Sequence, residues 1–184
     1  MVAIIDSPDF MFNDVNINSL PKSKKLYFFI KGLIVGFIYK RFNENVFCSL
    51  LNFLFPSKSK ISYSNGNYCK NVFGNKKIYY PNKRIVRVVN NYEFHFNFLF
   101  ETYCLNEINF KDGDTIVDCG ANVGELIYSF HQKNIAINYI AFEPESSSFS
   151  SLTMNTNQFE NSTSHKIALS DFEGNVDFFI DSLG

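Results

Sequence analysis

The chain has no tryptophan, no long uninterrupted apolar run and no surplus of either charge. Lys plus Arg is 17 against 18 for Asp plus Glu. That balance gives no electrostatic reason to expect a nucleic-acid partner, because such proteins concentrate positive charge for phosphate contacts. Four cysteines, Cys48, Cys69, Cys104 and Cys119, form no C-x-x-C pair. With no secretory context they read as reduced thiols of a cytoplasmic protein. His95, His131 and His165 are far apart and have no metal-ligand spacing, so no metal is expected. Residues 1–6 carry no basic region of the kind that begins a signal peptide. Internal repeats are absent too.

Apolar residues are abundant instead, at 46%, with 22 Phe and 10 Tyr among the 184 residues. That is enough for a real core. The most apolar segment, residues 26–39, is interrupted by Lys31 and flanked by Lys24, Lys25, Lys40 and Arg41. It is too short to span a bilayer, which takes about 20 apolar residues. A packed helix is the favoured reading. Aromatics beside lysines also suit peripheral membrane contact.

The pattern divides near residue 110. Residues 1–22 look irregular, with Pro8 and Pro21 as breaks. Helices are predicted over 23–40 and 42–55, ending before Pro56. Asn65-Gly66 predicts a hairpin between residues 61–63 and 68–69. Residues 77–80 and 84–89 read as strands joined by a Pro81-Asn82 turn. Residues 92–106 are ambiguous. Phe94, Phe96, Phe98 and Phe100 alternate as in a strand, whereas the length and the place ahead of the next strand favour a helix. From Phe110 the pattern becomes β-α-β-α-β, with strands near 115–119, 138–143 and 165–169 and helices near 124–133 and 146–158. Asp112-Gly113 makes the turn into the first of these strands. Residues 176–180 read as a further strand. The expected organisation is a helical and hairpin segment over 1–109, followed by a partial Rossmann-like α/β domain over 110–184.

The run TIVDCGANVGE at 115–125 carries the most functional information. It is a short apolar strand, a glycine-bearing turn and a helix start, the architecture of a nucleotide-cofactor loop at the carboxyl edge of a parallel sheet. Gly120 and Gly124 remove Cβ atoms where backbone approaches a ligand or turns sharply. The amides of the following helix are expected to be free to donate. A dinucleotide G-x-G-x-x-G starting at Gly120 would need glycines where Asn122 and Glu125 stand, so NAD is disfavoured. An acid, one residue, then glycines at alternate positions is the S-adenosylmethionine pattern. Asp118, Gly120 and Gly124 fit it, and Asn122 in the middle slot is one of the few residues that tolerate a positive φ.

A second motif, YIAFEPE at 139–145, is another apolar strand ending in an acid. Glu143 follows the glycine turn by roughly 20 residues, the separation at which a second-strand carboxylate meets ribose hydroxyls. A carboxylate is an acceptor-only group suited to a diol. The alternative is a strand-end acid that is simply solvated.

Taken together, VDCGANVG at 117–124, Phe142-Glu143-Pro144, Leu152-x-x-Asn155 and ALSDFEG at 168–174 closely resemble FkbM-type methyltransferases, over the chain from about Phe110 onward. The resemblance implies a class I fold, S-adenosylmethionine as cofactor and methyl transfer to a hydroxyl of a sugar, glycan or secondary metabolite. It implies a cofactor site made by Asp118, Gly120, Ala121, Asn122, Gly124, Glu143, Pro144, Ser170 and Asp171. Asp118 would help hold the methionine ammonium through water, or would bond the amides of the turn. Ser170 and Asp171 would lie beside the adenine, unless Asp171 is a plain turn residue ahead of Gly174. Cys119 reads as a small buried residue. Asn161-Ser-Thr163 matches a glycosylation acceptor and reads as a coincidental loop. No catalytic base stands out.

The family's Lys-x-Asp-x-Glu-Gly motif at a fourth strand has no counterpart here. The sequence is therefore expected to be a fragment whose first parallel strand has an unpaired apolar edge. Such an edge favours self-association or pairing with a missing C-terminal half. A non-catalytic cofactor-fold remnant or interaction module is the competing reading.

Overall fold

The computed structural model describes residues 20–57, 59–171 and 174. The expected irregularity of residues 1–19 and the expected strand at 176–180 lie outside them. The chain forms two compact units, Met1–Asn109 and Phe110–Gly184.

The first unit begins with helices α1 (Lys22–Arg41) and α2 (Glu44–Leu54). An antiparallel sheet follows, β1 (Ile61–Ser64), β2 (Asn67–Val72) and β3 (Lys76–Tyr80), in that order. Asn65 and Gly66 both take positive φ between β1 and β2, as a two-residue hairpin requires. Asn52 ties α2 to the sheet: its amide donates to the Ile61 carbonyl at 2.8 Å and its oxygen accepts the Ile61 N–H at 2.9 Å. Phe47, Leu51, Ile78, Tyr80, Ile85, Val88 and Phe96 are buried at the centre of this unit.

Residues 84–89 are not the expected strand. A 3-10 turn (Lys83–Ile85) leads into the short helix α3 (Val86–Val89). Asn82 is the cause: its side chain accepts the Arg84 N–H at 3.0 Å and caps the turn. Asparagine is a preferred helix cap as well as a turn former. The ambiguous aromatic run is a helix, α4 (Tyr92–Thr102), again started by an asparagine, since Asn91 accepts from the Phe94 N–H at 3.1 Å. The capped terminus outweighs the two-residue alternation of Phe.

The second unit is a βαβαβ arrangement of Rossmann-like form. Strands β4 (Thr115–Cys119), β5 (Asn138–Phe142) and β6 (Ser162–His165) are parallel and adjacent in that order. Helices α5 (Glu125–Gln132) and α6 (Ser146–Thr156) make the crossovers. The turn entering β4 is closed at Asp112, whose carboxylate accepts the Ala136 N–H, and at Gly113, which donates to the Ala136 carbonyl.

β6 lies earlier than the 165–169 expected. The more apolar Ile167-Ala-Leu169 run drew that expectation, yet Ile167 and Leu169 are exposed. Pairing with β5 sets the register, Tyr139 opposite Ser162 and Phe142 opposite His165. It is continued by the Glu143 N–H donating to the His165 carbonyl.

One face of this sheet is sealed and the other is not. Tyr139 and Ala141 are fully buried. Ser164, opposite Ala141, meets Thr153 of α6, so this is the helix-covered face. Thr115, Val117 and Cys119 alternate onto the other face and are exposed, with Val117 at 54%. Cys119 is thus not the buried residue expected. Among the described residues β4 pairs with β5 alone.

Candidate functional site

The glycine turn leaves β4 and is fastened to the end of β5. The N–H groups of Gly120 and Ala121 both donate to the Phe142 carbonyl at 2.9 Å. Gly120, Asn122 and Gly124 all have positive φ, +79°, +52° and +78°. Asn122 therefore fills the middle glycine slot in the conformation that asparagine tolerates.

The two glycines do different work. A Cβ on Gly120 would meet nothing within 4 Å, so its backbone faces open space. A Cβ on Gly124 would stand 2.7 Å from Leu152 Cδ1. Gly124 therefore lies against Leu152 of α6, whose side chain would have to shift to admit a Cβ there. Of the two roles expected of these glycines, approach to a ligand or a sharp turn, Gly124 takes the turn, with its φ of +78°.

Glu143 joins the two motifs. Its carboxylate accepts the Asn122 N–H at 2.9 Å with one oxygen and the Glu145 N–H at 2.9 Å with the other. It is only 6% exposed. The alternative of a solvated strand-end acid fails on that burial. A carboxylate has about four acceptor positions, so each oxygen keeps a second one. Burial with satisfied amide bonds pre-positions the group at the turn.

Asp118 lies on the helix-covered face and accepts a hydrogen bond from the Tyr139 hydroxyl. It bonds none of the turn amides; the Asn122 amide goes to Glu143. Burial raises its pKa, the Glu143 charge adds to that, and the Tyr139 hydroxyl opposes both. The site therefore has two neighbouring carboxylates, one of them poorly stabilised as an anion.

Pro144 follows Glu143 and precedes Glu145, the cap of α6. The Glu145 carboxylate accepts from the N–H groups of Ser147 and Ser148. Partial burial works against ionisation there, but these bonds prevail and hold its pKa at about 2. Ser170 and Asp171 lie beyond β6 without regular structure, exposed, with the Ser170 hydroxyl donating to Asp171. The structure thus brings Asp118, Gly120, Ala121, Asn122, Gly124, Glu143 and Pro144 together around the ends of β4 and β5. It does not bond Ser170 or Asp171 to them.

Several supporting residues were not among the expected site residues. Asn155 is fully buried and donates to the Val123 carbonyl at 2.7 Å, fixing the turn from behind. Its oxygen accepts from Tyr128 Oη at 3.2 Å. Tyr139 orients Asp118. The Leu152-x-x-Asn155 step was the available signal, since one helical turn puts both residues on the face that meets the turn. His131 packs beside Phe159, His165 stacks on Phe142, and His95 is buried beside Phe96. Among the described residues no group of three His, Cys, Asp or Glu could hold a metal ion.

No family model matches the chain, and no curated protein matches it. One solved structure to which it is similar is that of P. horikoshii TYW2 in complex with MeSAdo. The TM-score is 0.43 at 15% identity, covering 71% of this chain and 50% of that one. The chain thus spans about half the length of that solved chain. A likeness at this level says nothing of activity.

Proposed function

We propose that the second unit is the cofactor-binding part of an S-adenosylmethionine-dependent methyltransferase of the FkbM type. The observation that carries this reading is the Glu143 carboxylate held on the Asn122 amide, which puts the second-strand acid directly against the glycine turn. The donor set fits the cofactor's chemistry. S-adenosylmethionine carries a sulfonium and an ammonium, and two carboxylates favour a cation. A pyrophosphate would be repelled by them. Glu143 would accept from the ribose hydroxyls through its remaining lone pairs, and Asp118 would face the ammonium. Gly120 leaves the backbone open for approach.

When bound, the cofactor supplies an already activated methyl group. The chain's own residues bind and orient it. Asn155 and Leu152 hold the turn, Tyr139 fixes the Asp118 carboxylate, and Glu145 starts α6. The acceptor is proposed to be a hydroxyl of a sugar, glycan or secondary metabolite, in a cytoplasmic setting that keeps the four thiols reduced. The exposed face of β4 also favours a second reading, a non-catalytic interaction module in which this sheet serves as a binding surface.

Calorimetric titration of the full chain with S-adenosylmethionine and S-adenosylhomocysteine, with NAD as control, tests the proposal. Saturable binding of the first two and none of NAD is expected. Glu143→Gln and Asp118→Asn should each weaken binding at least about tenfold, the scale of one charge-assisted contact. Because the Asp118 pKa is raised, affinity for the cation should fall as pH drops through it. A folded chain that binds neither compound sinks the cofactor reading and leaves the interaction module.

A further inference from the structure

The first unit holds a buried lysine that the cofactor reading does not use. Lys70 lies on β2, paired with Ile61 of β1 and Ile78 of β3. Residues opposite each other across a sheet share a face, so Lys70 stands between two isoleucines. Its side chain is 2% exposed, and both isoleucines are buried. Burying an ammonium costs free energy that an apolar side chain of the same reach would not cost. Packing alone therefore explains this lysine poorly.

Lys70 is one of the residues that line a cavity of about 800 Å³. Lys60 and Glu93 are the other charged residues of the wall among those described. Phe73 lies on the same wall with a left-handed backbone, φ +47°, its ring edge-on to that of Tyr92 at 5.1 Å. A bulky residue is strained in that conformation, and such strain gathers at ligand sites.

The hydrogen bonds at Nζ decide what Lys70 can do. It donates to the Val89 carbonyl at 2.7 Å and to Ser57 Oγ at 3.3 Å. An ammonium has three hydrogens. A neutral amine has two hydrogens and a lone pair, so it serves both acceptors equally well and keeps the lone pair for a ligand. These bonds therefore do not hold the third proton on, and burial lowers the pKa from 10.5 to about 8. Lysines desolvated in this way are the ones that attack carbonyl carbons. Ser57 and Ser59, also on the wall, donate their own protons to the Ser59 and Asn71 carbonyls. Their remaining lone pairs suit a ligand that carries hydroxyl groups.

We propose that Lys70 is a carbonyl-reactive lysine that forms an imine with a small hydroxyaldehyde bound in this cavity. The ammonium first gives one proton to water. The amine nitrogen then bonds to the aldehyde carbon as the carbonyl π bond breaks. Both amine hydrogens leave with the carbonyl oxygen as water, and a C=N bond remains. No oxidant or reductant takes part. This inference is independent of the cofactor reading, since Lys70 belongs to the first unit.

Incubation of the full chain with glycolaldehyde at about pH 7.5, trapping with cyanoborohydride and peptide mass mapping tests it. At that pH an amine of pKa about 8 is roughly one quarter neutral, and one of ordinary pKa only about one thousandth. Lys70 should be trapped at least about tenfold faster than exposed lysines such as Lys22 and Lys111. Its rate should level off above about pH 8, where theirs keep rising. Lys70→Arg, which keeps a cation in place, should lose this adduct while the other sites label as before. Propanal, which lacks the hydroxyl, should favour Lys70 over the exposed lysines several-fold less than glycolaldehyde does. Trapping of Lys70 no faster than the exposed lysines, or only after unfolding in urea, overturns the proposal in favour of a lysine that merely ties the sheet to the Val89 carbonyl. The wild-type rates decide this even where arginine does not fit. Equal preference for propanal would overturn the hydroxyaldehyde as the ligand class.

Discussion

The two three-stranded sheets are built on opposite principles. β1 to β3 are antiparallel neighbours joined by tight turns, and β1 and β2 are separated by only Asn65 and Gly66. β4 to β6 are parallel, and each crossover must pass through a helix before the next strand can pair. The first sheet is specified by local turn chemistry. The second is specified by what its crossover helices press against, namely Leu152 on Gly124 and Asn155 on the Val123 carbonyl. Substitutions at the two kinds of turn should therefore have unequal costs.

Gly124→Ala should be the most damaging. The new methyl group would stand 2.7 Å from Leu152 Cδ1 in a left-handed backbone, so the leucine tip must shift, for an expected loss of about 2 kcal/mol from strain and repacking together. Gly120→Ala shares the positive φ without the collision, so about 1 kcal/mol is expected. Chemical denaturation of the two variants checks the difference. Adding Leu152→Ala to the Gly124 variant should recover the steric part relative to Leu152→Ala alone. If the two glycine variants lose equal stability, packing against α6 does not distinguish them.

The antiparallel sheet has its own non-local weakness. Lys70 on β2 is buried, its ammonium donating to the Val89 carbonyl at 2.7 Å and to Ser57 Oγ at 3.3 Å. Burial lowers its pKa from 10.5 to about 8. Below pH 8 both folded and unfolded chains hold the proton, and the desolvation cost is present in full. Between about 8 and 10.5 the unfolded chain holds more protons, so stability contributed by this residue rises with pH. The stability of wild type relative to Lys70→Met should therefore increase across that window, by about 2 kcal/mol. A pH-independent difference would show that Lys70 is solvated in the folded chain.

Gly66→Ala should have a small effect, equal to that of Gly120→Ala. Its φ is +79° but nothing lies within 4 Å of a new Cβ, so strain of about 1 kcal/mol is all that is expected. A loss as large as that at Gly124 would mean the hairpin is less local than it looks.

Short-range features were legible in the chain. The hairpin, the strand into the glycine turn, the acid ending β5 and the tolerance of Asn122 for a positive φ all depend on residues within a few positions of each other. The misreadings share a cause. Residues 84–89 have strand composition, but Asn82 caps them into a helical turn. Residues 165–169 are apolar enough to be a strand, yet β6 takes its register from β5 and ends at His165. Gly124 and Gly120 look equivalent until Leu152 is placed.

The sequence by itself therefore determined the local conformations: which peptides turn left-handed, where caps start helices, and which segments alternate. Only the tertiary structure decided which glycine is closed by packing and which faces open space. It alone decided that Glu143 is held on the Asn122 amide rather than left in water, and that Lys70 is buried with its ammonium on the Val89 carbonyl. Backbone preferences act between adjacent residues. Burial and hydrogen-bond partnership depend on groups more than twenty positions away, such as Glu143 for Asn122 and Asn155 for Val123, and they exist only once the chain has folded.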